Sequence, residues 1–147
     1  MPDPFSLAAS SFAVVGVVDV VVKASIECCL FLSAIKGAPE GIRMLKIRIE
    51  ENKALSEAFI THLKLPSISI ASTTSRMEPS LKLFEKSVKS FHRELTALKI
   101  LEARYKGTSK LWSAVKYVFD EKKLNKCLVS LENAKSMLSA ALQLIEG

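Results

Sequence analysis

The chain has 147 residues, 49% of them apolar, with only five glycines and five prolines. That length and apolar content support one ordinary core and exclude a disordered segment, and so little punctuation argues against a many-stranded sheet protein. The net charge of +6 suits an anionic membrane surface, a nucleic-acid backbone or simply a solvated basic face.

The first predicted helix opens at Asp3-Pro4, a capping residue followed by proline at the first helical position. From Phe5 to Val22 the only charge is Asp19. At about 100° per residue, Ser6, Ser10, Ser11, Asp19 and Lys23 form no polar face. A helix apolar all round belongs either at the centre of a bundle or in a bilayer. The pattern continues through Ile26, Leu30 and Phe31 towards Lys36, and Gly37-Ala38-Pro39 ends it and starts the next helix.

The second helix carries an apolar stripe of Ile42, Leu45, Ile49, Phe59 and Leu63, with Glu50, Glu51, Lys53 and Glu57 outside it. The Ser/Thr-rich stretch from Leu65 to Ser75 has no helical period and reads as a mobile loop, reaching to about residue 78. A third helix is expected from Pro79 to near Gly107. Its seam is Leu81, Phe84, Val88, Phe91, Leu95, Leu98 and Tyr105, and Lys82, Lys86, Lys89 and Arg93 share the opposite face. Ser109 is placed to cap a short segment containing Leu111, Trp112, Val115 and Phe119. Asp120 is placed to cap a last helix with Leu124, Leu128, Leu131, Leu138, Leu142 and Ile145 facing inward. The expected fold is all-α: one domain over residues 1–147, a four- or five-helix bundle with a strongly apolar first helix.

Charge is divided along the chain. Residues 1–36 hold two basic and three acidic side chains, a net of −1, whereas residues 79–126 hold twelve basic and five acidic, a net of +7. Cys28, Cys29 and Cys127 are odd in number, and two are adjacent, so they form no disulfide framework and suit a reducing compartment. Met1-Pro2-Asp3-Pro4 lacks the basic region of a secretory signal, and cytoplasmic residence is expected.

No catalytic constellation emerges. His62 and His92 lie in different helices without a telling carboxylate, Cys28-Cys29 has no zinc spacing, and neither phosphate-binding glycine motif occurs. The expectation is therefore no enzyme, no cofactor and no metal. Nucleic acid is not expected as a partner, because Phe84 and Phe91 lie opposite Lys86 and Lys89 rather than interleaved with them.

Two stretches carry a resemblance. The opening Asp3-Pro4-Phe5-Ser6-Leu7-Ala8-Ala9-Ser10, with the later Lys36-Gly37-Ala38-Pro39, resembles the N-terminal domains of fungal NOD-like (STAND) receptors, the HeLo-like group. The closing Leu111-Trp112, Phe119, Lys122-Lys123-Leu124, Leu128, Leu131, Leu138 and Leu142 follow the same pattern. The resemblance implies a helical bundle that executes or signals regulated cell death, as in heterokaryon incompatibility and innate immunity, by self-association and plasma-membrane permeabilisation. It further implies an activating NOD-like receptor region or amyloid signalling region on a longer chain or a partner. On that reading Phe5, Leu7, Phe12, Val14, Val15, Val17, Val18 and Val21 insert into the membrane, and Asp19 lines a pore. Lys82, Lys86, Lys89 and Arg93 contact anionic lipid, as the domain moves from cytoplasm to plasma membrane. Phe5 to Val22 would span about 27 Å, just short of a bilayer core of roughly 30 Å. A protein-interaction module that leaves the membrane alone is the competing expectation.

Overall fold

The computed structural model describes residues 11–63, 70–107 and 110–146, without the side chains of residues 11–13 and 70–77. Among these the chain forms five helices: α1 (Ser11–Ala34), α2 (Glu40–Leu63), α3 (Ile70–Arg104), the single turn α4 (Trp112–Val115) and α5 (Glu121–Glu146). The expectation of an all-α bundle holds.

The long helices pack in a ring in which α1 touches α2 and α3, and α5 touches the same two. Side-chain pairings set the directions. Ser33 of α1 meets Lys46 of α2 at 3.1 Å, close to their shared turn, so these two helices run antiparallel. Asn52 meets Leu131, and His62 meets Glu146, so α2 and α5 run the same way. Across the diagonal, Phe59 of α2 and Phe84 of α3 stack at 3.9 Å between ring centroids, with planes 6° apart. That stack fills the bundle interior near the C-terminal end of α2.

The seams follow from helical spacing. On α5 the buried row is Leu124, Cys127, Leu131, Ala134, Leu138, Ala141 and Ile145, alternating steps of three and four. Large and small residues alternate along most of it, so neighbouring helices can approach at the small positions. On α3 the predicted seam is confirmed, with Phe84, Val88, Phe91, Leu95 and Leu98 buried and Leu81 and Tyr105 half-buried. Buried serines do not break these rows. Ser25, Ser56 and Ser87 each donate back to a carbonyl one turn earlier in their own helix, which satisfies the hydroxyl without a tertiary partner.

One end of the bundle is tied by main-chain bonds. Lys36 N–H donates to the Lys110 carbonyl at 2.7 Å, and Trp112 N–H donates to the Lys36 carbonyl at 2.8 Å. Gly37, at φ 72°, makes the reversal that follows Lys36, a conformation side-chain-bearing residues rarely adopt.

Three expectations are corrected. The helix expected to start at Pro79 already begins at Ile70, so the loop expected over residues 65–78 is helical from Ile70 onward, and residues 64–69 lie outside the described residues. Serine and threonine fall only about 0.5 kcal/mol short of alanine in helix propensity, so a well-packed helix extends through them. Leu111, not Ser109, is the N-cap of α4, in extended conformation and with no side-chain cap. Ser109 itself lies outside the described residues. The first helix is not the centre of the bundle, because it sits diagonally opposite α5 and presents one side to solvent. The expected cap at Asp120 does form, its Oδ1 accepting from Lys123 N–H at 3.0 Å.

Candidate functional site

The exposed ridge of α3 is where the predicted stripe falls. Lys82, Lys86, Lys89 and Arg93 are all exposed, and helical geometry spreads them over about 16 Å of one face. Lys82 lies 3.5 Å from the Glu78 carboxylate one turn earlier. Lys86, Lys89 and Arg93 have no ion pair among the described residues.

The α2–α5 face is organised differently. Arg48 contacts Glu51 at 2.8 Å and Glu132 at 2.6 Å, and Lys135 reaches the same Glu51 at 3.0 Å. Burial pushes the Glu51 carboxyl up, but the hydrogen bonds from Lys135 and Arg48 outweigh it and hold it below the ordinary range. Charges on that face are committed to holding two helices together. On the α3 ridge Lys86, Lys89 and Arg93 make no such tie among the described residues.

The residues assigned to membrane insertion divide three ways. Phe5 and Leu7 lie outside the described residues, and Phe12 is described in backbone alone. Val14, Val17, Val18 and Val21 are buried in the core, and Val15 packs half-buried against it. Asp19 is exposed, together with Lys23 and Glu27. These three share a solvent face at steps of four, which corrects the reading of α1 as apolar all round. Glu27 was the missing member, and its ion pair with Lys99 anchors α1 to α3. Among the described residues no helix is long and apolar enough to cross a membrane. Lys23 and Glu27 join Asp19 once α1 is followed beyond Val22.

Beside those charges the same face of α1 exposes Val20 (46%), Ile26 (48%) and Leu30 (67%). Ile26 and Leu30 line a cavity of about 480 Å³ against Glu50, Lys53 and Glu57 of α2.

The three thiols are unbonded, with Cys28 and Cys127 buried and Cys29 half-buried. Burial, with Glu102 and Cys29 adding to it, pushes Cys28 up to about 12. Burial is also the largest cause at Cys29, at about 11, and at Cys127, where the adjoining Glu94 adds to it. All three therefore stay protonated at neutral pH, where a thiol is a weak nucleophile. His62 is engaged with Glu146 at 3.0 Å, at the far ends of α2 and α5. Among the described residues no group of three or more histidine, cysteine or carboxylate side chains is arranged to hold a metal ion.

Sequence reasoning missed Asn52 and Ser56. Both are buried, and they fill the row Ile49, Asn52, Ser56, Phe59 at steps of three, four and three. That spacing was the available signal, hidden because both residues are polar.

In comparisons with known proteins, no family model matches this chain, and no curated protein or solved structure matches it either.

Proposed function

We propose that this bundle is a regulated cell-death domain of the HeLo-like kind, which docks on anionic membrane through the α3 ridge and self-associates there. The observation that carries the reading is the set of cations Lys86, Lys89 and Arg93 on one exposed helix face, with no ion pair among the described residues. Unpaired cations keep their full attraction for lipid phosphate, worth about 1 kcal/mol each near an anionic surface.

Magnitudes then separate docking from permeabilisation. Each buried valine contributes about 1.5–3 kcal/mol, so freeing Val14, Val17, Val18 and Val21 into water costs about 6–12 kcal/mol. That approaches the whole stability of a domain, about 5–15 kcal/mol. Four ridge cations supply only about 4 kcal/mol. Docking alone therefore leaves α1 in place, and insertion needs an activating partner or assembly that offers its valines another apolar environment.

The test is sedimentation with vesicles of phosphatidylserine and phosphatidylcholine against phosphatidylcholine alone. The chain is expected to co-sediment only with the anionic vesicles, to lose binding at least tenfold in Lys86→Glu/Lys89→Glu/Arg93→Glu, and to release no trapped dye when unactivated. Equal binding to both vesicle types, or none to either, would sink the reading.

The exposed row Val20, Ile26 and Leu30 favours a second reading, an oligomerisation module acting without a membrane. Concentration-dependent self-association in solution, abolished by Leu30→Glu and unaffected by vesicles, would support it.

A further inference from the structure

The α3 ridge does not end at Arg93. On a wheel of about 100° per residue, Ala97, Ile100 and Arg104 lie within about 60° of Lys82, so they continue the same exposed row. These three residues form one wall of a cavity of about 530 Å³, whose other walls come from Val118 and Phe119 after α4 and from the start of α5. Small-molecule sites occupy about 300–1,000 Å³, so the space is of useful size. Its interior is apolar, built from Leu98, Leu101, Val118 and Phe119, and Ile100 stands 68% exposed at its lip.

Charge is not evenly spread around it. Arg104, Lys123 and Lys126 are the cations of the lining, and Glu94 is its one acid. Glu94 lies against Cys127, so the acid of the lining marks one end, where Lys126 is also a lining residue. Arg104 lies ten residues further along α3, about 15 Å away along the axis. Lys123, a turn before Cys127, lies towards that second end and is steadied by donating to the Val118 carbonyl at 2.9 Å. The groove is thus apolar along its length and cationic at the Arg104–Lys123 end.

We propose that this groove takes one acyl chain of an anionic lipid, with the head group held by Arg104 and Lys123. The proposal rests on the docking reading, since the ridge would deliver the domain to the surface from which the lipid comes. An apolar slot with one cationic end matches a single-chain anionic amphiphile, and continuity with the ridge places its mouth beside the docked bilayer.

The experiment is calorimetric titration of the full chain with oleoyl lysophosphatidic acid below its micelle-forming concentration. No bilayer is present, so the result is independent of whether the ridge docks on vesicles. Saturable one-to-one binding is expected, weakened at least tenfold by Ala97→Trp or Ile100→Trp, which obstruct the groove from exposed positions, and by Arg104→Glu/Lys123→Glu. Oleoyl lysophosphatidylcholine, carrying the same chain without net charge, is expected to bind at least tenfold more weakly. Absence of saturable binding, or unchanged affinity in both folded tryptophan variants, overturns the proposal. Equal affinity for the two lipids overturns the assignment of the head group to Arg104 and Lys123. Co-sedimentation of the unchanged chain with anionic vesicles, run alongside, shows separately whether the docking reading stands.

Discussion

Asn52 of α2 donates through one Nδ2 to two carbonyls, that of Arg48 in its own helix at 2.8 Å and that of Leu131 on α5 at 3.1 Å. Its Oδ1 is buried and has no partner among the described residues. The side chain therefore works as a donor clamp between two helices that run in the same direction. It sets their register in the middle of the interface that Arg48, Glu51, Lys135 and Glu132 hold from outside.

Substitutions at Asn52 should follow that asymmetry. Asn52→Asp removes both donors and points a carboxylate at two carbonyls, so a loss of about 3 kcal/mol or more is expected. Asn52→Leu removes donor and unpaired acceptor together, and it should cost about 1 kcal/mol or less, since neither carbonyl depends on it alone. Urea denaturation of the two variants measures the order, and an aspartate variant as stable as the leucine one would contradict the clamp.

The Phe59–Phe84 stack joins two helices that face each other across a diagonal of the ring. Both rings are fully buried. Phe59→Ala should cost about 3–5 kcal/mol, whereas Phe59→Leu, which keeps most of the volume, should cost roughly half as much. Thermal unfolding of both variants tests whether the diagonal contact matters as much as the helix seams.

On α1 the two sides should respond oppositely to charge. Val17 is buried at 5% exposure and Val20 is 46% exposed. Val17→Glu is expected to lose several kcal/mol through an unpaired buried carboxylate, and Val20→Glu about 0.5 kcal/mol or less. Circular dichroism during heating distinguishes them. Val17→Glu is accordingly a poor probe of membrane activity, because loss of fold would imitate loss of insertion.

The thiols make stability fall in alkali. Each folded thiol is raised above an ordinary value of 9.0, to about 12 for Cys28 and about 11 for Cys29. The unfolded chain releases these protons first, so the stabilisation is complete below about pH 9 and declines as pH rises through the folded values. Denaturation midpoints measured from pH 8 to pH 11 should drop, and they should drop less in Cys28→Ala/Cys29→Ala. Thiol labelling of the native chain at pH 8 should be slow and should quicken in denaturant, because the thiolate of Cys28 is about a thousandfold rarer when folded.

Glu51 acts at the other end of the scale. Its carboxyl is held below the ordinary 4.5 by Lys135 and Arg48, against the upward push of burial. Its contribution is present above that value and is lost as pH falls through the lower folded one. Between pH 6 and pH 3 the unchanged chain should lose more stability than Glu51→Gln, which has no such proton to take up.

The limits of the sequence show in particular residues. Helical spacing located Phe84, Val88, Phe91, Leu95 and Leu98 in the core and Lys82, Lys86, Lys89 and Arg93 outside it, because one helix face is decided by residues of the same helix. The same spacing pointed to Leu128 and Leu142 on α5, yet the buried row runs through Cys127, Ala134 and Ala141. Small residues carry little hydrophobic signal, and only the close approach of α2 and α3 gives them their place. The groove between Ala97, Ile100 and Phe119 was likewise invisible, being assembled from residues of three separate segments.

What the sequence determined by itself was local: helical class, the caps and turns around Gly37 and Asp120, and which side of α3 stays wet. Those features depend on periodicity and backbone chemistry within a few turns. Only the tertiary structure decided that α1 sits at the side of the ring with Asp19, Lys23 and Glu27 facing solvent, and that α5 lies diagonally across from it. An apolar helix seeks burial but does not encode against which partners. That choice emerged from matching all four long helices at once, with Asn52 on Leu131 and Phe59 on Phe84 selecting the arrangement.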